Sequence, residues 1–276
     1  MLIKCNNRTL NFVAPQIMGI LNITPESRYG GGFTRLCDAV LPRVEQMVHE
    51  GAAIIDVGGE STRPGATPVA LQEELDRVIP ILEIVKQNFP ILLSIDTRKP
   101  EVMRAALKIG VDIINDVNAL QAEDALAIAA NSEAAVCLMH MQGEPQTMQK
   151  APQYENVVTE VKTFLTARVQ ACFAAGIPKE RLLIDPGFGF GKSLAHNSQL
   201  LNHLDELKTL EVPILVGLSR KIMIEAALNL PVEQRLYASL ALAVLAITKG
   251  AVIIRTHDVK PTLEAVRMAH RVLAEA

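Results

Sequence analysis

The chain lacks the markers of several protein classes. Its four cysteines, Cys5, Cys37, Cys137 and Cys172, form no Cys-x-x-Cys pair and keep no metal-ligand spacing. They read as reduced thiols, with Cys137 buried inside an apolar run, and supply neither a disulfide framework nor a zinc site. Charge of one sign is also missing: 27 Lys and Arg face 30 Asp and Glu, a net −3 with no basic block. Nucleic acid is therefore not an expected partner. No apolar run approaches the roughly 18 residues that cross a bilayer, so no membrane association is expected. No N-terminal stretch joins basic residues, a long apolar segment and a cleavage site, and the cytoplasm is the expected compartment. Linkers, repeats and low-complexity tracts are absent too, so residues 1–276 are read as one domain.

What is present is a series of eight short apolar runs. They are Ile17–Thr24, Ala53–Glu60, Ile91–Arg98, Asp112–Asn118, Ala135–Met141, Leu182–Gly189, Pro213–Lys221 and Ala251–Asp258. Runs of Val, Ile and Leu without alternation are what parallel strands buried on both faces require. Most end in a polar cluster. If eight such strands close into a barrel, these clusters meet at one mouth.

The segments between the runs carry helical spacing. Leu36–Glu50, Leu71–Asn88, Pro100–Ile109, Ala122–Asn131, Glu155–Ala175, Asn197–Leu210, Gln234–Lys249 and Pro261–Glu275 are predicted helices, several closed by glycine. Strand and helix alternate eight times, which predicts an α/β fold, a (β/α)8 TIM barrel, with a doubly wound open sheet as the rival. Residues 1–14 precede the first run. Asn6-Asn7 there predicts a short β-hairpin, placed to plug the barrel bottom.

The strand ends supply acids (Asp56, Asp96, Asp116, Asp185), bases (Arg63, Arg98, Arg220, Lys221, Arg255, His257) and the amides Asn22 and Asn115. A carboxylate just inside a barrel mouth can accept two N–H bonds from a planar heterocycle. It can equally serve a structural ion pair, since buried charge is costly unless paired. Asn22 is either a turn residue or a ligand for a hard cation that also holds a diphosphate. Arg255 and His257 are two apart on the last run, so they point the same way. Cationic donors after the last strands commonly bind phosphate, although a solvated strand end is the plainer reading. In Asp185-Pro-Gly-Phe-Gly-Phe-Gly-Lys192 the glycines allow sharp turns or close approach to a ligand. Phe188 and Phe190 either offer a ring face or belong to the core. Of Arg220 and Lys221, only one should point inward. An inward lysine can donate to a heterocycle, and an outward arginine meets a substrate carboxylate or solvent.

Together these stretches resemble dihydropteroate synthases, pterin-binding barrel enzymes. The stretches are M-G-I-L-N-I-T-P (18–25), I-I-D-V-G-G-E-S-T-R-P-G (54–65), S-I-D-T (94–97), I-I-N-D (113–116), L-M-H-M (138–141), L-I-D-P-G-F-G-F-G-K (183–192), G-L-S-R-K (217–221) and I-I-R-T-H-D-V (253–259). The resemblance implies condensation of a dihydropterin bearing a hydroxymethyl diphosphate with 4-aminobenzoate, releasing pyrophosphate for folate synthesis, in a family that sulfonamides target. It implies that Asp96, Asn115, Asp185 and Lys221 hold the pterin edge while Met139 packs on its ring. Asn22 would bind Mg2+, and Arg255 and His257 would hold the diphosphate as cations. Thr62 and Arg63 would belong to a mobile second loop. Pro64, Phe190, the Lys221 stem and Ser219 would line the aminobenzoate slot, with Arg63 beside it. The family is usually a homodimer through its later helices, which Leu240, Leu242 and Leu245 would permit.

One stretch departs from the pattern. The family's first loop usually reads N-x-T-x-D-S-F-x-D-G, whereas here Asn22 continues as I-T-P-E-S-R-Y-G-G-G. Glu26 replaces the first acid, Arg28 the aromatic residue and Gly30 the second acid. Past Lys221, Ile222 and Glu225 stand where the family usually has a small residue and a glycine. These changes leave the pterin floor intact and alter the aminobenzoate side. Three readings follow: a synthase with altered aminobenzoate and sulfonamide recognition, a pterin-binding paralogue that does not catalyse the condensation, or another pterin-binding barrel such as a methyltransferase.

Overall fold

The structure, a computed structural model, describes residues 1–23, 33–63 and 65–275. A hairpin of β1 (Leu2–Cys5) and β2 (Arg8–Asn11) comes first. Eight parallel strands then close a barrel in the order β10-β3-β4-β5-β6-β7-β8-β9. They are β3 (Gln16–Asn22), β4 (Ile54–Gly58), β5 (Leu92–Asp96), β6 (Ile113–Asp116), β7 (Ala135–Met139), β8 (Leu182–Asp185), β9 (Ile214–Val216) and β10 (Ala251–Thr256). The closed order removes the open-sheet rival. Seven strands lie within their predicted runs, and β3 starts one residue earlier, at Gln16. The remainder of most runs is the polar loop after the strand, so the apolar-to-polar switch marks the mouth.

The strands bury both faces for different reasons. Outward residues such as Ile17, Ile55, Leu93 and Ile114 join the main core with the helices. Inward residues Met18, Ile54, Leu92, Ile113, Leu183, Leu215 and Ile253 form a second apolar layer, and Ile3 and Cys5 of β1 complete it from below. Strand alternation delivers this plug, because Leu2 and Lys4 face solvent while Ile3 and Cys5 are fully buried. The turn residue Asn6 ties the hairpin on, its backbone N–H donating to Glu133 O at 2.8 Å and its side chain to Val111 O at 2.9 Å. The apolar bottom leaves the opposite end of the barrel for polar groups.

Nine α-helices surround the strands among the described residues: α1 (Phe33–His49), α2 (Leu71–Asn88), α3 (Pro100–Ile109), α4 (Ala125–Ala130), α5 (Val157–Ala174), α6 (Leu194–Asn202), α7 (Ile222–Leu228), α8 (Leu236–Thr248) and α9 (Val259–Ala274). The bounds of α2 and α3 are those predicted. Gly110 stops α3 in the left-handed region at φ 90°, its N–H turned back to Ala106 and Leu107 carbonyls. Two features differ from expectation. The predicted helix over 197–210 is α6 followed by a 3-10 helix at Leu204–Leu210. Leu204 and Leu207, three apart, are buried there, a spacing that 3-10 geometry aligns on one side. The short helix α7 was not predicted, because seven residues are too few to show a helical period. None of the described helices is long and apolar enough to cross a membrane.

Candidate active site

Several inward positions two residues above the apolar layer, among them Asp56, Asn115 and Arg255, are polar, and Asp56 binds the other two. Arg255 on β10 donates from Nε to Asp56 Oδ2 and from Nη2 to Asp96 Oδ2, both at 2.6 Å. Asn115 on β6 donates from Nδ2 to the same Asp56 oxygen at 3.1 Å. Asp56 Oδ1, Ser94 Oγ and Asp96 Oδ1 are buried without a hydrogen-bond partner among the described residues. Burial pushes the Asp96 carboxyl up to about 7, opposed by Arg255 and assisted by the charge of Asp56. Burial disfavours the Arg255 charge, yet Asp56 and Asp96 hold its pKa well above the ordinary value. The floor is thus rich in carboxylate acceptors that Arg255 only partly neutralises.

Asp185 closes β8, where burial raises its carboxyl. Its Oδ1 accepts from Gly187 N at 2.7 Å. The loop beyond is clamped against the end of β7. Gly187 has φ 71°, and a Cβ there would lie 1.9 Å from His140 O. Gly191 has φ 64°, with a Cβ position 2.3 Å from Gln142 O. Only glycine meets both demands. Lys192, nearly sealed from solvent, donates from Nζ to Gly187 O at 2.9 Å and Phe190 O at 3.1 Å, and lies 2.9 Å from His140 Nδ1. Burial lowers the Lys192 pKa to about 7 and that of His140 to about 3, so the imidazole accepts as a neutral ring. The clamp sets Phe190 in a separate apolar cluster with Val117, Met139 and Met148. Phe188 belongs to the main core.

Lys221 reaches in from the start of α7, with Nζ 4.1 Å from the centre of the Phe190 ring. The preceding Arg220 takes the left-handed region at φ 55°, a turn that reverses the chain before α7. Its guanidinium grips Asp258 at 2.9 Å and 2.6 Å. Ser219 Oγ accepts from the His257 backbone N–H at 3.2 Å and lies 3.0 Å from His257 Nδ1. Burial, with Arg255, Arg220 and Arg63 nearby, lowers the His257 pKa to about 3.

These groups border a cavity of about 580 Å3. Asn22, Thr62, Arg63, Asp96, Phe190, Ser219, Lys221, Arg255 and His257 line it, joined by Ile20, Met148 and Gly217. The loop bearing Thr62 and Arg63 is anchored at its start. Glu60 accepts from Arg98 at 3.1 Å and from Lys99, and Arg98 also reaches Glu144 at 2.8 Å. Gly65 N donates to Pro145 O at 3.1 Å, tying this loop to the one after β7.

Comparison with known proteins gives the family of this barrel. A family model described as "Pterin binding enzyme" matches residues 18–257. Dihydropteroate synthase of Escherichia coli (strain K12) is 51% identical over 267 residues, covering 96% of this chain and 94% of the relative. That of Haemophilus influenzae is 50% identical over 268 residues, covering 97% and 98%. Among solved structures, Yersinia pestis dihydropteroate synthase in a sulfonamide drug complex superposes with a TM-score of 0.94 at 48% identity, covering 99% of this chain and 100% of that one. The Xanthomonas albilineans enzyme with 4-aminobenzoic acid superposes with a TM-score of 0.92 at 47% identity, covering 99% and 98%. The chain belongs to the dihydropteroate synthase family of pterin-binding enzymes.

Set beside the residues that the family pattern selects, the mouth divides into two levels. Asp96, Asn115, Asp185 and Met139 form the buried floor, and of these only Asp96 borders the open cavity. Thr62, Arg63, Phe190, Ser219, Lys221, Arg255, His257 and Asn22 form its walls. Pro64, Glu26, Arg28 and Gly30 lie outside the described residues. One sequence expectation changes. Asp116 does not join the mouth; one residue from the inward Asn115, it accepts from the backbone of Asn118 and Leu120, both at 2.7 Å. Arg220 pairs with Asp258 while still bordering the cavity. Burial lowers the His257 pKa to about 3, which favours the neutral ring. Sequence reasoning also passed over Met148, which joins Phe190 from a loop with no periodic signal. The Lys192–His140 clamp left no trace beyond the motif, since a lysine after a glycine run looks exposed.

Proposed function

We propose that this chain condenses 6-hydroxymethyl-7,8-dihydropterin diphosphate with 4-aminobenzoate, releasing pyrophosphate. The observation that carries the reading is Arg255, bonded to Asp56 and Asp96 in the floor while bordering the cavity beside His257. One cation therefore serves both the heterocycle level and the diphosphate level. Asp96, Asn115 Oδ1 and Asp185 Oδ2 take the N–H groups of the pterin edge. Lys221 donates to its acceptors, and Met139 packs against its face. The carbon–oxygen bond to the diphosphate breaks with its electron pair leaving on oxygen, and Arg255 and His257 donate to the developing charge. The aminobenzoate nitrogen forms the new bond to the methylene carbon and loses a proton. Phe190, Pro64 and the Lys221 stem line its slot, with Ser219 and Arg63 near its carboxylate. Thr62 holds the diphosphate side.

The residues also fit Mg2+ arriving with the diphosphate. Among the described residues no group of three or more His, Cys, Asp or Glu could hold a metal alone. Mg2+ commonly uses one or two protein oxygens plus substrate phosphate, and Asn22 lines the cavity with Oδ1 beside the side-chain-free Gly58. When bound, the ion supplies charge neutralisation on the phosphate oxygens.

The working form is proposed to be a cytoplasmic homodimer. Helix α8 is apolar nearly all round, and Tyr237, Leu245, Met268 and Val272 on α8 and α9 are exposed in the single chain. A concentration series by light scattering tests this.

A second reading rests on the first loop, where Arg28 and Gly30 depart from the family pattern. Under it the chain binds pterin diphosphate without condensing it. A coupled pyrophosphate-release assay separates the two. Release that requires both substrates supports the synthase; binding of pterin diphosphate without turnover supports the second.

A further inference from the structure

Asp56 is sealed more completely than the floor residues around it, at 0% exposed against 5–7% for Asp96, Asn115 and Asp185. Its side chain is fully buried, and it does not border the cavity. In register it lies between Ile20 of β3 and Ser94 of β5, two residues above Ile54 of the apolar layer. A carboxylate in such a place is costly unless paired.

Its pairing is asymmetric. One oxygen, Oδ2, accepts from both Arg255 Nε and Asn115 Nδ2, while Oδ1 has no partner. Strand β4 lies two strands from β10 on one side and two from β6 on the other. A single atom therefore ties together residues from both flanks of the floor. An ionised carboxylate has only acceptors, so it decides which end of the Asn115 amide turns toward it. The nitrogen meets Asp56, and Oδ1 is left as an acceptor. Asp56 also fixes one end of the Arg255 guanidinium, and Asp96 fixes the other at 2.6 Å. A planar group held at both ends keeps one orientation.

We propose that Asp56 is a positioning residue for the pterin diphosphate half of the reaction, setting the Arg255 plane and the Asn115 amide without touching either substrate. This rests on the reading that Arg255 and Asn115 meet the pterin diphosphate.

The test is Asp56→Asn, which keeps the volume and removes the charge. The Michaelis constant for pterin diphosphate is expected to rise about tenfold with a fall in kcat, while that for aminobenzoate stays within about twofold. In an Arg255→Gln background, Asp56→Asn is expected to cost clearly less than in the native background, because one of the groups it orients is gone. Fully additive losses would overturn the proposal. So would equal rises in both Michaelis constants, or a variant changed only in melting temperature. Arg255→Gln that binds pterin diphosphate normally would overturn the placement of Arg255 itself, a separate failure. Asp56→Ser is the second variant should Asp56→Asn not fold. If neither folds, Asp56 serves the fold and the proposal fails.

Discussion

Ser219 and His257 are joined by two hydrogen bonds through one oxygen. Ser219 Oγ accepts from the His257 backbone N–H at 3.2 Å and lies 3.0 Å from His257 Nδ1. Burial lowers the ring pKa to about 3, which favours the neutral imidazole, and when the Ser219 hydroxyl donates to Nδ1 the ring proton sits on Nε2. The diphosphate side thus has a neutral donor beside the charged Arg255.

This tautomer can be tested by two amides. The Gln side-chain nitrogen stands near the position of imidazole Nε2, and that of Asn near Nδ1. His257→Asn is expected to lower kcat/KM for pterin diphosphate by roughly ten- to a hundredfold, and His257→Gln by much less. Equal losses would count against an Nε2 donor. Steady-state kinetics at saturating aminobenzoate make the comparison.

Asp96 is held against its own stability. Its folded pKa is raised from 3.8 to about 7, chiefly by burial. Between about pH 4 and pH 7 the folded chain keeps a proton that the unfolded chain has lost, so stability falls as pH rises through this window. Asp96→Asn removes the titration. It is expected to stabilise the protein by about 1–3 kcal/mol at pH 8, to change little at pH 4, and to weaken pterin binding. Chemical denaturation at the two pH values checks it; a variant less stable at pH 8 would show that the ion pair with Arg255 outweighs burial.

Two glycines separate backbone strain from steric conflict. Gly65 and Gly187 both have positive φ, but a Cβ on Gly65 meets nothing within 4 Å, while one on Gly187 lies 1.9 Å from His140 O. Gly65→Ala is expected to cost about 1 kcal/mol and Gly187→Ala about 3 kcal/mol or more. Gly187→Ala should also lose activity, since the same turn seats Asp185 and Phe190. Urea unfolding of both variants reads the difference; equal costs would refute the clamp.

The first loop carries three of the substitutions that distinguish this chain from the family pattern, Glu26, Arg28 and Gly30. Restoring Arg28→Phe with Gly30→Asp is expected to lower the Michaelis constant for aminobenzoate and to leave that for pterin diphosphate unchanged. A rise would mean that the loop is built around Arg28. Inhibition by a sulfonamide, measured alongside, is expected to tighten in the same direction.

The barrel was legible because its strands are buried on both faces and lose their apolar character where the mouth begins, as at Asp96 and Asp185. Helices α2 and α3 were legible through long period and a glycine stop. The family motifs singled out Asp96, Asn115, Met139 and Asp185, which the fold brings to one buried level. What composition hides is direction. Asn115 and Asp116 are neighbours with opposite roles, because a strand alternates its faces. Arg220 and Lys221 separate only through a left-handed turn that no motif announces. The lowered pKa of His257 comes first from burial and then from Arg255, Arg220 and Arg63, all brought together by folding. Short elements such as α7 fall below the length at which periodicity speaks.

In the proposed reading this mouth takes a pterin diphosphate between Asp185 of the floor and Lys221 of the wall. Calorimetric titration of pterin diphosphate into the native chain, Asp185→Asn and Lys221→Ala tests it most directly. The native chain is expected to bind, and each variant to bind at least about tenfold more weakly, the effect of losing roughly 1.4 kcal/mol. Unchanged affinity in both variants would contradict it.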